Sequence, residues 1–214
     1  TDSIMVDTKV SDTGKAMEIG KKIEIEINNR LKGIVEVKIE NIFKSLLILA
    51  KKRYAGISIE QSNGEVKESI VMKGIETVRR DWCDLTSETL FSALEIILKE
   101  QSPKKAVEYV KGILSKLDRN EIPIEKLVIT KSISKPLRDY KGVQPHIEVV
   151  KKIKKRNPTE APGIGDRVGF VIIHGPQLMS ERAEDPNYVE QHGLKIDSKY
   201  YIESQILPPL ERVF

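Results

Sequence analysis

Residues 35–75 read VEVKIENIFKSLLILAKKRYAGISIEQSNGEVKESIVMKGI, and the period of this stretch decides the fold. Apolar and polar side chains alternate through three runs, 35–43, 45–60 and 65–75, the last two separated by the turn-forming Ser62-Asn63-Gly64. A period of two is the signature of a half-buried strand, and three such runs with short connections predict an antiparallel sheet. Upstream, TGKAMEIGKKIEIEINNRL at 13–31 places Ala16, Ile19, Ile23 and Ile27 at steps of three and four. That spacing predicts an amphipathic helix with one side toward a core, stopped at Gly33. The opening TDSIMVDTKVSD carries Ile4, Val6 and Val10 in alternation and reads as one arm of a hairpin with no preceding strand to pair with. Residues 1–84 are therefore expected to form an α+β unit, with the helix crossing an antiparallel sheet.

Near Asp84 the period changes. LTSETLFSALEIILKE has Leu90, Leu94, Ile97 and Leu98 at helical spacing, and Pro103 opens a second helix through Val107, Val110 and Leu117. A short strand VITKSI, a basic helix HIEVVKKIKKR, a glycine-bracketed turn GIGD and a strand RVGFVII follow. Residues 180–199 read as a polar loop, and YYIESQIL as a last helix stopped by Pro208-Pro209. Residues 85–214 thus form a mixed, mostly helical second unit.

Composition narrows the class. The 214 residues suffice for a core without covalent staples. Lys plus Arg exceed Asp plus Glu by 36 to 32, so overall charge does not by itself imply nucleic acid, and local clustering carries the information. The single cysteine, Cys83, excludes an internal disulfide and a cysteine-based zinc site, and is expected to be a semi-buried thiol. No apolar stretch approaches eighteen residues and no signal-peptide pattern is present, so no membrane partner is expected and the expected location is cytoplasmic.

Four stretches concentrate chemistry. Asp2-Ser3 stands at the head of the opening run, where a turn carboxylate is the ordinary reading. KKRYAG at 51–56 sets cations, Lys52 and Arg53 among them, against Tyr54 at the end of an apolar strand, which could equally be a solvated strand edge. KGIETVRRDW at 73–82 places Arg79 and Arg80 beside Asp81 and the only tryptophan. Either arginine could pair with Asp81 or Glu76, and one facing outward with the other facing protein is expected, the assignment left open. TKSISKPLRDYKGVQPH at 130–146 carries Lys131, Lys135, Arg138 and Lys141 with a single acid, Asp139. Such a loop is either a solubilising face or a phosphate grip. The denser run Lys151, Lys152, Lys154, Lys155 and Arg156 is expected to be a solvated helix face, and His146 structural.

In this order, these stretches resemble the carboxy-terminal part of family B DNA polymerases, archaeal replicative ones in particular. In that family the opening reads Tyr-Gly-Asp-Thr-Asp-Ser, a palm hairpin with two active-site aspartates, of which Thr1-Asp2-Ser3 matches the end. The resemblance implies a palm remainder at 1–84 and a thumb at 85–214. It implies Asp2 as a metal ligand in a two-ion Mg2+ site for nucleotidyl transfer, two ions about 4 Å apart holding the reacting oxygens. Lys52-Arg53-Tyr54 matches the family's Lys-x-Tyr motif against the primer–template duplex, the outward one of Arg79 and Arg80 would face DNA, and Lys131, Lys135, Arg138 and Lys141 would form the thumb's grip. The implied partners are primer–template DNA, deoxynucleoside triphosphates, and a large polymerase chain with the exonuclease, fingers and remaining palm. On this reading the chain is the small subunit of a split polymerase, inactive alone, with an ancestral intein position as a hypothesis for the break. The alternative is a non-catalytic duplex-binding module derived from a thumb.

Overall fold

The computed structural model describes residues 3–31, 33, 35–62, 65–75 and 82–214. Asp2, Arg79 and Arg80, and the Asn63-Gly64 turn, lie outside the described residues. The chain divides into two compact units, Thr1–Ile75 with Leu98–Gln101, and Glu76–Ile97 with Ser102–Phe214.

In the first unit, α1 runs Thr13–Leu31. Asp12 starts it: its carboxylate accepts from the Lys15 N–H at 2.7 Å, satisfying one of the donors every helix start leaves unpaired. The side Ala16, Ile19, Ile23 and Ile27 share is half-buried, and α1 packs against β1. Three antiparallel strands follow in the order β1 Ile42–Ala50, β2 Arg53–Ser62 and β3 Glu65–Lys73. Two expected strands differ from these. Residues 35–41 form no strand, because the Asn28 side chain takes both backbone groups of Val37, donating to its carbonyl at 2.9 Å and accepting from its N–H at 2.8 Å. The run 45–60 is two strands: the chain reverses at Lys51-Lys52, where Lys52 adopts φ 64°. Residues 3–10 likewise form no strand, and Ile4, Met5 and Val6 are exposed.

Of α2, Asp84–Glu100, the part through Ile97 belongs to the second unit, and there it and α3, Pro103–Asp118, bury Leu85, Leu90, Ala93, Leu94, Ala106, Val110 and Leu117. Ser102 caps α3 by accepting from the Lys105 N–H. A second antiparallel sheet has the order β4 Ile129–Ser132, β5 Arg167–Ile172 and β6 Ala183–Glu184. Onto it packs α4, Pro145–Arg156, through buried Ile147, Val149 and Val150. Tyr201, fully buried, ties the layers together: its hydroxyl donates to the Leu127 carbonyl at 2.9 Å and accepts from the Ile172 N–H at 3.1 Å.

The segment 180–199, expected as a loop, holds β6, α5 (Pro186–His192) and α6 (Ser198–Tyr200). Asp185 caps α5 at the Tyr188 N–H, and Gly193 closes it at φ 57°. The last helix does not stop at the proline pair. A π-helical stretch Tyr201–Ile206 leads into α7, Leu207–Glu211, and the Leu207 N–H reaches back five residues to Ile202. The widened turn puts Pro208 and Pro209 at the start of a new helical turn, where their missing N–H groups cost no bond. Cys83 is fully rather than partly buried; burial pushes its thiol pKa up, with Thr86 Oγ1 at 3.2 Å.

Candidate nucleic-acid interface

The first cluster of cations sits on the β1–β2 hairpin. Lys51 and Lys52 form its exposed tip, and Arg53 donates from Nε to the Gly74 carbonyl at 3.3 Å. Gly74 has φ +66°, and a Cβ there would run into the Lys52 carbonyl oxygen. Glycine at 74 therefore lets the end of β3 close beneath the turn. Tyr54 pairs across the sheet with Ile48 and Lys73, which share its face. Register thus adds Lys73, an exposed cation that sequence reading passed over, beside the Tyr54 ring. The Tyr54 ring meets the Phe43 ring edge to face at 6.1 Å and 83°.

The second cluster is the loop between β4 and α4. Its end is pinned to the turn before β5, with the Ile133 N–H on the Asp166 carbonyl at 2.9 Å and the Gly165 N–H on the Ile133 carbonyl at 2.8 Å. Tyr140 organises the middle. Its hydroxyl accepts from the Ser134 N–H at 2.9 Å, its ring carries the Lys135 ammonium 4.9 Å from the centroid, and its edge meets the His146 ring at 5.7 Å. The Ser134 hydrogen bonds lower the Tyr140 phenol pKa. His146 is buried at the head of α4; burial first, then the neighbouring Lys131 charge, lowers its pKa and favours the neutral ring. Lys131, Lys135, Arg138 and Lys141 are all exposed, and Asp139 stands only 3.8 Å from the Nε of Arg138, whose side chain is 88% exposed. The loop thus presents cations on a backbone fixed by one aromatic residue, an arrangement suited to phosphates and indifferent to base sequence.

The cations of α4 serve otherwise. Arg156 grips Glu184 bidentately at 3.0 and 2.9 Å and lies over the Tyr188 ring at 3.4 Å. Lys152 donates to the Glu181 and Ala183 carbonyls and pairs with Glu184, while Lys151 pairs with Glu148. Lys154 and Lys155 are exposed.

A magnesium site of the implied kind needs several converging carboxylate or phosphate oxygens. The described residues contain no group of three His, Cys, Asp or Glu able to hold a metal, so they do not by themselves make that site. Among the same residues no helix is long and apolar enough to cross a membrane.

The chain is 39% identical, over its full length, to the DNA polymerase delta catalytic subunit of Candida albicans, and 38% to that of Schizosaccharomyces pombe, covering 20% of each. It spans about a fifth of the length of the curated relatives it matches. The solved structure of the family B DNA polymerase from the hyperthermophilic archaeon Pyrobaculum calidifontis matches 90% of this chain and 24% of its own, with a TM-score of 0.73 at 30% identity. The family profile for DNA polymerase family B matches residues 1–214. The chain, with its two antiparallel sheets and helical second unit, belongs to DNA polymerase family B.

Proposed function

We propose that this chain supplies the primer–template duplex grip of a DNA-directed DNA polymerase, with residues 1–84 the end of the palm and 85–214 the thumb. The remaining palm, fingers and exonuclease would sit on a large chain, making an archaeal-type split enzyme. In this reading the hairpin of Lys52, Arg53 and Tyr54 touches the duplex near the primer end, one of Arg79 and Arg80 adds a contact, and Lys131, Lys135, Arg138 and Lys141 hold backbone phosphates. Asp2 is one of several carboxylates, the rest outside this chain, that would bind two Mg2+ ions beside the incoming deoxynucleoside triphosphate. The observation that carries the reading is the Tyr140-centred loop, whose three exposed cations, Lys135, Arg138 and Lys141, with Lys131 at the end of β4, face solvent with one loosely placed acid.

Primer extension with magnesium tests it, using this chain alone, a large chain carrying the upstream polymerase regions alone, and the two mixed, with Asp2→Ala as control. Synthesis only in the mixture, abolished by Asp2→Ala, is expected. Full activity of the large chain alone refutes a shared site. Duplex binding without synthesis in any mixture instead marks a module that grips DNA and does no chemistry.

A further inference from the structure

We infer that Phe43 is a positioning residue for Tyr54, seated in a notch that Gly56 leaves in β2, so that the phenol meets the duplex already oriented. The inference rests on the proposed role of Tyr54 at primer–template DNA. In the sheet register Phe43 stands opposite Ser58, four residues from Tyr54 along β2, roughly 13 Å of strand. The two ring centroids are nevertheless 6.1 Å apart. Both rings must therefore lean toward each other over the residue midway between them on the same face, which is Gly56. A Cβ at Gly56 would stand 2.6 Å from Phe43 Cδ1, 2.8 Å from the Ser45 carbonyl oxygen and 3.0 Å from Leu46 Cδ1, so the Phe43 ring and the β1 backbone together fill the space that the absent side chain leaves.

Sheet irregularity aims the ring. The register slips between Phe43 and Ser45, leaving Lys44 as an extra residue on the β1 edge. Such bulges turn neighbouring side chains away from their regular direction. Lys44 reaches over β2 to pair with Glu68 of β3 at 2.7 Å. Among the described residues the Tyr54 hydroxyl makes no hydrogen bond, and it is the contact with the Phe43 ring that orients the phenol. An edge-to-face pair fixes a half-exposed ring in one rotamer, and a group ordered before binding loses less freedom on binding.

Fluorescence anisotropy of a labelled primer–template duplex, titrated with the whole chain, tests this in Phe43→Ala, Phe43→Leu, Phe43→Tyr, Tyr54→Ala and the Phe43→Ala/Tyr54→Ala double variant. Phe43→Ala and Phe43→Leu are expected to weaken binding about 2- to 10-fold, the range of an aromatic pair. Phe43→Tyr, which keeps the ring edge, should bind within twofold of the parent. In the Tyr54→Ala background the Phe43→Ala change should have no further effect. Phe43→Leu retains the apolar volume, so a fold too damaged to read in Phe43→Ala is still tested, with thermal unfolding run on each variant. Equal losses from Phe43→Ala with and without Tyr54, or no loss from Phe43→Leu, overturn the inference while leaving the Tyr54 contact standing. No loss from Tyr54→Ala removes the contact itself, and the positioning role with it.

Discussion

Arg156 holds Glu184 with two parallel hydrogen bonds, from its two terminal nitrogens to the two carboxylate oxygens, while its guanidinium covers Tyr188. The Glu184 side chain is only 5% exposed, so this pair joins α4 to β6 rather than decorating a surface. Removing one partner leaves the other charge in a half-dry place. Arg156→Ala should lower stability by about 3 kcal/mol. Arg156→Lys should recover only part of it, because an ammonium cannot fork onto both oxygens. Urea unfolding of the three chains measures this, and parent-like stability of Arg156→Ala would mean that the pair is cosmetic.

The same pair sets an acid limit. Burial works against the Glu184 charge, but the Arg156 hydrogen bonds, the Asp185 N–H and Lys152 outweigh it, so the carboxyl pKa lies below the ordinary glutamate value. A carboxyl depressed in the folded state contributes stability that is fully present above its unfolded pKa and is lost as pH falls through the folded one. His146, lowered by burial, has the same sign: its contribution is present above the unfolded imidazole value and is lost as pH falls through the folded one. Stability should therefore begin to drop below about pH 6.5 and fall more steeply below about pH 4.5. His146→Gln should flatten the first limb and Glu184→Gln the second, read from unfolding midpoints across pH 3–8.

Tyr140→Phe separates arrangement from charge. It deletes the acceptor for the Ser134 N–H but leaves every cation of the loop in place. Duplex affinity should fall about 2- to 5-fold, the loss of one ordering hydrogen bond, with the slope of log affinity against log salt unchanged. Single alanine changes at Lys131, Lys135, Arg138 or Lys141 should instead reduce that slope by about one each. Identical slopes in all five variants would show that these cations do not touch phosphates.

Gly74→Ala should disturb the Lys51-Lys52 turn from 22 residues away. The positive φ of +66° and the collision with the Lys52 carbonyl act together, so a loss of about 1–3 kcal/mol is expected. Duplex binding should weaken alongside. A gain in stability, the usual result of replacing a glycine at an unstrained site, would mean that the backbone there relaxes freely.

Much of the fold was open to reading because its elements carry local marks. The α1 side of Ala16, Ile19, Ile23 and Ile27 follows the helical period, and the β2 and β3 runs alternate. The departures arise where a distant group overrides a local pattern. Val37 alternates like a strand residue, yet the Asn28 amide occupies its backbone. The reversal at Lys51-Lys52 has no Gly, Asn or Asp in it, and the glycine that permits it, Gly74, comes two strands later. In α5, capped by Asp185 and Gly193, Val189 alone is buried, too little apolar signal to outweigh the polar composition. At the candidate interface the cations declared themselves by clustering. Lys73 and Phe43 needed register, and Tyr140 needed the course of a loop.

If the proposed grip on DNA holds, the commitments of α4 bear on how the duplex moves. Arg156, Lys152 and Lys151 already answer protein carboxylates, and of that basic run only Lys154 and Lys155 face outward without an ion pair among the described residues. The helix after the grip loop therefore adds little pull of its own. On the proposed reading, a polymerase must let its product advance by one nucleotide after every addition, and a hand that closed with the whole charge of this segment would turn each step into an escape.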